Sequence, residues 1–449
     1  MRISLFLLAL ILVACSSNSG NEFPDLNAAQ HAPEITNLTL SPDAITQMEG
    51  GGNVVVTAEI TFQDDGRDLQ TLWVGMPDGT TLDFDESIDT ETGTFIEDFA
   101  MSTQEFGIFP VEFWLVDKAG NTSNHRTVDI DVGWTNRLGG LPYALNDIIW
   151  DGTVFIAVGN GGTVLTSADG IDWVARDSGT DATLSAVATF ETDIFAVGDE
   201  VVLLSTNHGE NWITKAMPDS FVLGAVAVNS SQVVVGGRVP GTLQTSMMIS
   251  EDRGDTWQTV DSTADNSYWF RDLIYRNGLF VATTEKIYIG PGGDARVQVS
   301  SDGKSWHEVV VLHEGLGLSA ITHDGSQFVA TGIFGAVFTS FDGFNWTGMR
   351  ETPPDWLDRG VEYLSAGWDG SKLLVAGGMW PESCDGLIPC NPGSRIPIGI
   401  ASTDGGASWE SFNIDGRRYK SRGMAFGGGR FVSVGASPVS GEGAIYTAE

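Results

Sequence analysis

The sequence predicts an all-β chain: a β-sandwich followed by a seven-bladed β-propeller closed by an N-terminal outer strand. Three observations predict it. A turn motif recurs six times, a strand pattern recurs seven times and ends in glycine in six of them, and short β-branched and aromatic runs between Gly, Asp and Asn clusters run through the 449 residues. Periods near 40 residues signal a propeller, a solenoid or an array, and runs of this composition read as strands.

The amino terminus reads as an address. Met1-Arg2 is a short positive segment and Ile3 to Ala14 is apolar apart from Ser4. That stretch is shorter than the roughly 20 apolar residues a spanning helix needs, and it fits a signal peptide. It ends Leu12-Val13-Ala14-Cys15 before a polar run from Ser16. This resembles the lipobox of bacterial lipoproteins. The resemblance implies cleavage before Cys15, diacylglycerol on its sulfur, and attachment to the cell envelope. Ser16 after the cysteine resembles the outer-membrane sorting pattern. Residues 1–14 are then the signal peptide, and 15–32 the lipidated cysteine and a flexible tether. Cys384 and Cys390 remain. Export into an oxidising compartment predicts that they pair as a disulfide across a turn-rich loop.

Residues 33–132 hold about seven strand-like runs, with Val54, Val56, Ala58 and Ile60 alternating against more polar neighbours. That alternation marks a half-buried antiparallel strand. The turn from Asp117 to Ser123, followed by Val128–Val132, resembles the last hairpin of bacterial immunoglobulin-like and fibronectin-type domains. The resemblance implies a β-sandwich spacer. Asp64, Asp65 and Asp68 fit either a solvated acidic loop or a Ca²⁺ site, the single cofactor the sequence admits.

Residues 133–449 carry the repeats. The turn motif runs Ser167-x-Asp169-Gly170 to Trp173, Ser205-x-Asn207-x-Gly209 to Trp212, and Ser250-x-Asp252-x-Gly254 to Trp257. It continues as Ser300-x-Asp302-Gly303 to Trp306, Ser340-x-Asp342-Gly343 to Trp346, and Ser402-x-Asp404-x-Gly406 to Trp409. Between these turns lie patterns such as Val154–Gly159, Ile194–Gly198 and Phe328–Gly332. The unit is strand, turn, strand, loop, strand, motif turn, strand, which is a propeller blade. Seven strand patterns against six turns leave the last unit short of its outer strand. Trp134 to Arg137 matches Trp173 to Arg176, so residues 131–138 are expected to supply it.

The turn resembles the Asp-box (BNR) repeat of sialidases, sortilin-type receptors, xyloglucan-type endoglucanases and the photosystem II stability factor. In those families the box is structural and lies away from the binding face, which the resemblance implies here too. Spacings between the repeated tryptophans, starting from Trp134, are 39, 39, 45, 49, 40 and 63 residues. Much of the excess falls in loops on the face opposite the boxes, and loops on a rigid scaffold carry function. That face holds the candidate binding residues Trp269, Arg271, Trp356, Arg359, Trp380 and Arg422. Aromatic rings beside charge suit a protein or glycan partner.

The balance of 23 basic against 59 acidic residues, a formal −36, excludes nucleic acid as a partner. No phosphate loop, nucleophile elbow or metal-ligand cluster stands out, and no catalytic residue is assigned. The sialidase pattern is not met: Arg395-Ile396-Pro397 precedes the sixth box rather than the first. The favoured reading is a lipid-anchored envelope protein whose propeller is a binding or scaffold module. The alternative is a glycoside hydrolase or lyase acting on acidic glycans.

Overall fold

A computed structural model describes residues 32–42, 44–46, 53–102, 107–217, 221–242, 244–260, 268–286, 294–313, 317–333, 335–350, 361–379, 399–412, 414, 419–437 and 440–448. Cys15, Cys384, Cys390, Trp356, Arg359 and Trp380 lie outside the described residues. Among those described the chain is all-β, with one short 3-10 turn at Asn160–Gly162.

Two sheets form from the N-terminal segment. One orders Glu34–Ser41, Asn53–Gln63 and Thr92–Ser102. The other orders Ala44–Thr46, Arg126–Gly133, Gly107–Asp117, Leu69–Gly75 and Thr81–Ile88. The alternation in the sequence is the cause of their sidedness. Val56, Ala58, Ile60 and Phe62 are buried, as are Leu72, Val74, Phe113 and Leu115. Each such side chain removed from water contributes about 1.5–3 kcal/mol.

Seven four-stranded antiparallel sheets follow among the described residues. Their first strands are Leu145–Trp150, Leu184–Phe190, Val222–Val228, Tyr268–Arg276, Leu318–His323, Val361–Trp368 and Lys420–Gly427, which number sheets one to seven. Sheets one to six each use four consecutive strands. Sheet seven takes its fourth strand, Thr135–Leu141, from the other end of the sequence. Ile445 pairs with Leu138, Tyr446 with Asn136 and Thr447 with Thr135. Asn136 Nδ2 donates to the Tyr446 hydroxyl at 3.1 Å, and Arg137 Nε to Thr447 Oγ1 at 2.8 Å. The strand starts later than the expected 131–138, because Asp131, Val132 and Gly133 pair in parallel with Ala44, Ile45 and Thr46.

The core lies between consecutive sheets. Val158, Leu184 and Ile194 fill the space between sheets one and two; Val197, Val226 and Met248 fill that between two and three. Val234, Phe270 and Phe280 join three to four, and Val297, Ile321 and Phe328 join four to five. Val337, Tyr363 and Val375 join five to six, and Leu374, Phe412 and Phe431 join six to seven. Ile148, Phe155, Val432 and Ile445 then pack sheet seven against sheet one.

In each of the six motif turns the serine and Asp or Asn side chains accept from backbone N–H groups of the same turn. In the first, Gly170 N–H donates to Ser167 Oγ at 2.8 Å, while the N–H groups of Ile171 and Asp172 donate to Asp169 Oδ1 at 2.9 and 3.0 Å. The turn glycines have φ near +70° to +89°, a region glycine enters without strain. Indole N–H groups of Trp173, Trp212, Trp306 and Trp346 donate to the carbonyls of Gly170, Gly209, Gly303 and Gly343 at 2.7–3.0 Å. Trp134, which has no such turn before it, stacks on Phe412 at 5.8 Å instead.

Candidate functional site

Each of the seven first strands slips register by one residue near its start. The residues skipped are Asn146, Ser185, Gly224, Arg271, Ser319, Leu364 and Arg422. All seven line one cavity of about 440 Å³. A bulge re-aims a side chain that regular pairing would point elsewhere, and here it does so once per sheet toward a common centre. The cavity opens at the strand starts, the end of each sheet opposite the motif turns.

The glycine-ended pattern in the sequence permits a close backbone approach at six of the seven bulges. Gly159, Gly198, Gly237, Gly332, Gly377 and Gly435 pair with the residue just before the skipped one. A Cβ at these six positions would sit 1.7–2.5 Å from the carbonyl oxygen at the base of the first strand. In three sheets that carbonyl turns inward to accept the next N–H: Asn160 to Ala144, Asp199 to Thr183 and Ile333 to Gly317, at 2.9–3.1 Å. Sheet four departs from this. Thr284 occupies the glycine position, and pairing continues through Trp269 with Glu285 and Tyr268 with Lys286. Sheet six runs on by two pairs in the same way, through Glu362 with Gly378 and Val361 with Met379, and Trp269 and Glu362 at these matching places both line the cavity.

The lining is cationic in an acidic chain. Among the described residues Arg238, Arg271, Lys420 and Arg422 line the cavity with one acidic group, Glu362. Lys420 Nζ pairs with Glu362 Oε2 at 2.7 Å and Arg271 Nε with Glu285 Oε2 at 2.5 Å. Burial pushes the Glu285 carboxyl above its usual range, opposed by Arg271. The Arg238 guanidinium lies 5.1 Å from the centre of the Trp269 ring. Arg422 Nη1 donates to Asn146 Oδ1 at 2.7 Å. Burial first, then repulsion from Arg271, lowers the Arg422 pKa.

Two further carboxylates follow bulge residues directly. Asp147 Oδ2 accepts from Val187 N–H of sheet two at 2.8 Å, and Asp272 Oδ2 from Ile321 N–H of sheet five at 2.9 Å. Their other oxygens accept from Ile148 and Leu273 N–H at 2.8 Å. Burial raises the Asp147 pKa to about 8, with the Asp272 charge adding to it. Burial likewise raises Asp272 to about 6. Both act as clasps between neighbouring first strands, and neither lines the cavity.

The acidic residues of the N-terminal sheets also cap turns. Asp64, fully buried, accepts from Gly66 N–H at 3.1 Å and Asp68 N–H at 2.9 Å. Asp65 accepts from Gln63 Nε2 at 3.1 Å. Burial raises the Asp68 pKa, and the charges of Asp117 and Asp64 add to this. Among the described residues no three His, Cys, Asp or Glu side chains converge as a metal-holding group.

The cavity brings together Trp269, Arg271 and Arg422 of the sequence candidates. It adds Arg238, Ser319, Glu362 and Lys420, which sequence reasoning did not single out. The motif-turn residues Asp169, Trp173, Asn207, Trp212, Asp252, Trp257, Asp302, Trp306, Asp342, Trp346, Asp404 and Trp409 are absent from its lining. Aligning the seven strand starts finds the bulge positions; nothing local marks Arg238, which reaches the site from the second strand of sheet three.

A family model described as the DUF6242 beta propeller domain matches residues 111–314. No curated protein matches the sequence. Among solved structures, YCF48 from Cyanidioschyzon merolae is 16% identical with a TM-score of 0.47, covering 70% of this chain and 98% of that one. A YCF48 structure bound to D1 peptide is 16% identical with a TM-score of 0.48, over 69% of this chain and 94% of that one. The GH74 xyloglucanase from Xanthomonas campestris is 15% identical with a TM-score of 0.50, over 70% of this chain and 53% of that one. At these identities the likeness is one of fold. The chain carries a β-propeller domain.

Proposed function

We propose that this protein is a lipid-anchored component of the bacterial cell envelope, held through Cys15 at the outer membrane. An immunoglobulin-like spacer carries a single seven-bladed Asp-box propeller. The propeller is a binding module that docks a partner on the face opposite the boxes. The observation supporting this is the convergence of one bulge residue from each of seven sheets on a single cavity. Such a cavity on a rigid β scaffold is where a ligand group is held. The box turns have spent their polar groups on their own backbone, so they offer a partner little.

A photo-crosslinking amino acid at Ser185, on the cavity, compared with one at Lys304, on a box turn, tests the docking face in cells. Adducts from position 185 and none from 304 are expected; the reverse pattern removes the reading. Cys15→Ala should move the protein from the membrane fraction to the soluble one, and its retention on membranes would sink the anchor.

A further inference from the structure

The cavity carries charge and donors that the protein leaves unmatched. Among the described residues no carboxylate pairs with Arg422, whose contact is the neutral Asn146 amide. Arg271 keeps its terminal guanidinium nitrogens beyond the Nε that meets Glu285. Ser319 is 7% exposed and its Oγ has no hydrogen-bond partner. The indole N–H of Trp269 is likewise buried without an acceptor. Buried polar groups are nearly always satisfied, and of the unpartnered ones among the described residues the Ser319 hydroxyl and the Trp269 indole N–H are the two that line this cavity, where a ligand oxygen can meet both.

Two guanidiniums whose charges repel one another, beside two unmet donors, fit a ligand rich in acceptor oxygens and negatively charged. The rest of the lining narrows the class. Asn160, Thr183 and Ser185 offer an amide N–H and hydroxyls along one wall, the Asn146 amide being engaged with Asn160, Leu184 and Arg422, while Trp269 and Leu364 offer apolar surface. That mixture suits a ring bearing several hydroxyls better than an aliphatic side chain, which would leave the wall's polar groups unmet. The cavity of about 440 Å³ lies within the size range of small-ligand pockets. The chain's −36 charge does not forbid an anion there. At physiological salt charges are screened beyond about 8 Å, so the local groups decide.

We infer that the cavity holds one acidic sugar residue of a glycan, its carboxylate or sulfate seated between Arg271 and Arg422 and its hydroxyls against the Asn160 and Ser185 wall. This rests on the docking reading above and names its ligand class. Ser319 and Trp269 donate to the ligand oxygens. Glu362, held by Lys420, accepts from a ring hydroxyl.

Calorimetric titration of the full-length protein with D-glucuronate, glucose 6-sulfate, glucose, and an acidic peptide with a free C-terminus tests this. Binding of glucuronate or glucose 6-sulfate at least tenfold tighter than glucose or the peptide is expected, and which acid binds tells carboxylate from sulfate. Arg422→Gln should weaken that binding at least tenfold, with Arg422→Lys recovering part of it. If Arg422→Gln fails to fold, the wild-type protein serves: raising NaCl from about 50 to 300 mM should weaken the acidic sugars several-fold. Tightest binding by the peptide, equal binding of glucose, or no binding of either acid overturns the inference. If crosslinks still arise from position 185 in that case, the docking reading survives it.

Discussion

Alanine at Gly377 would place a methyl carbon 1.7 Å from the Glu362 carbonyl oxygen, and alanine at Gly198 one 1.8 Å from that of Thr183. Real Cβ atoms keep about 3 Å or more from backbone oxygen, so the strand base must retreat by more than 1 Å. The oxygen is not free to rotate away, since in sheet two it accepts the Asp199 N–H at 2.9 Å. Overpacking of this kind costs about 1–3 kcal/mol, and a clash with backbone belongs at the top of that range. The stiffer unfolded chain of an alanine variant offsets about 0.4–1 kcal/mol. The expected net loss is about 2 kcal/mol for each variant, a fall in midpoint of roughly 3 °C for a domain of about 300 residues. Equilibrium urea unfolding followed by tryptophan fluorescence reads it directly. Thr284→Val is the control: sheet four already carries a Cβ there, and the near-isosteric variant loses only the Thr284 hydroxyl bond to the Arg296 carbonyl, 2.9 Å. It should cost about 1 kcal/mol. If Gly198→Ala and Gly377→Ala both unfold within about 0.5 kcal/mol of the wild type, the close approach does not shape the bulge.

Three other expectations concern the same sheets. Trp134→Ala removes a side chain that is 3% exposed and stacked on Phe412, and should cost about 3–5 kcal/mol in urea unfolding. Ser300→Ala strips the acceptor from the buried Gly303 N–H, 2.9 Å away, and should cost about 1–3 kcal/mol, whereas Ser300→Thr retains an acceptor. Asp147 and Asp272, raised to about 8 and about 6, bind protons more tightly folded than unfolded. Their contribution is complete below pH ~4 and is lost as pH rises to 8, so stability should fall across that window and the paired Asn substitutions should flatten the slope. Asp302 opposes this at the acid end: backbone N–H groups of Ser305 and Lys304 lower it to about 2, so its contribution fades as pH drops from 4 toward 2.

The motif turns were legible in the sequence because their chemistry is local. Serine, aspartate and glycine within four residues satisfy one another, and the pattern repeats without reference to the rest of the chain. The strand Thr135–Leu141 was legible through Trp134, which holds the place its counterparts hold before their own fourth strands. Its limits were not, because the competing pairing of Asp131–Gly133 with Ala44–Thr46 joins residues more than 80 positions apart. The cavity was half legible. Arg271 and Arg422 stand at matching strand starts, but the bulge that turns them inward adds a residue without changing composition. Arg238 is bound to the site by its contact with Trp269, 31 residues on in sequence, and Ser319 by the absence of a partner, which no sequence displays.

Sheet seven unites segments far apart in the chain, with Asn136 and Tyr446 separated by 310 positions. During synthesis the earlier ribbon keeps this edge bare until Gly443–Ala448 has been made. A product clipped even seven residues short loses Gly443–Ala448, the hydrogen-bonding partner of Thr135–Leu141. Closing this sheet therefore hangs on the Gly443–Ala448 segment, and a chain that lacks it offers the bare edge of Thr135–Leu141 to strands of other molecules.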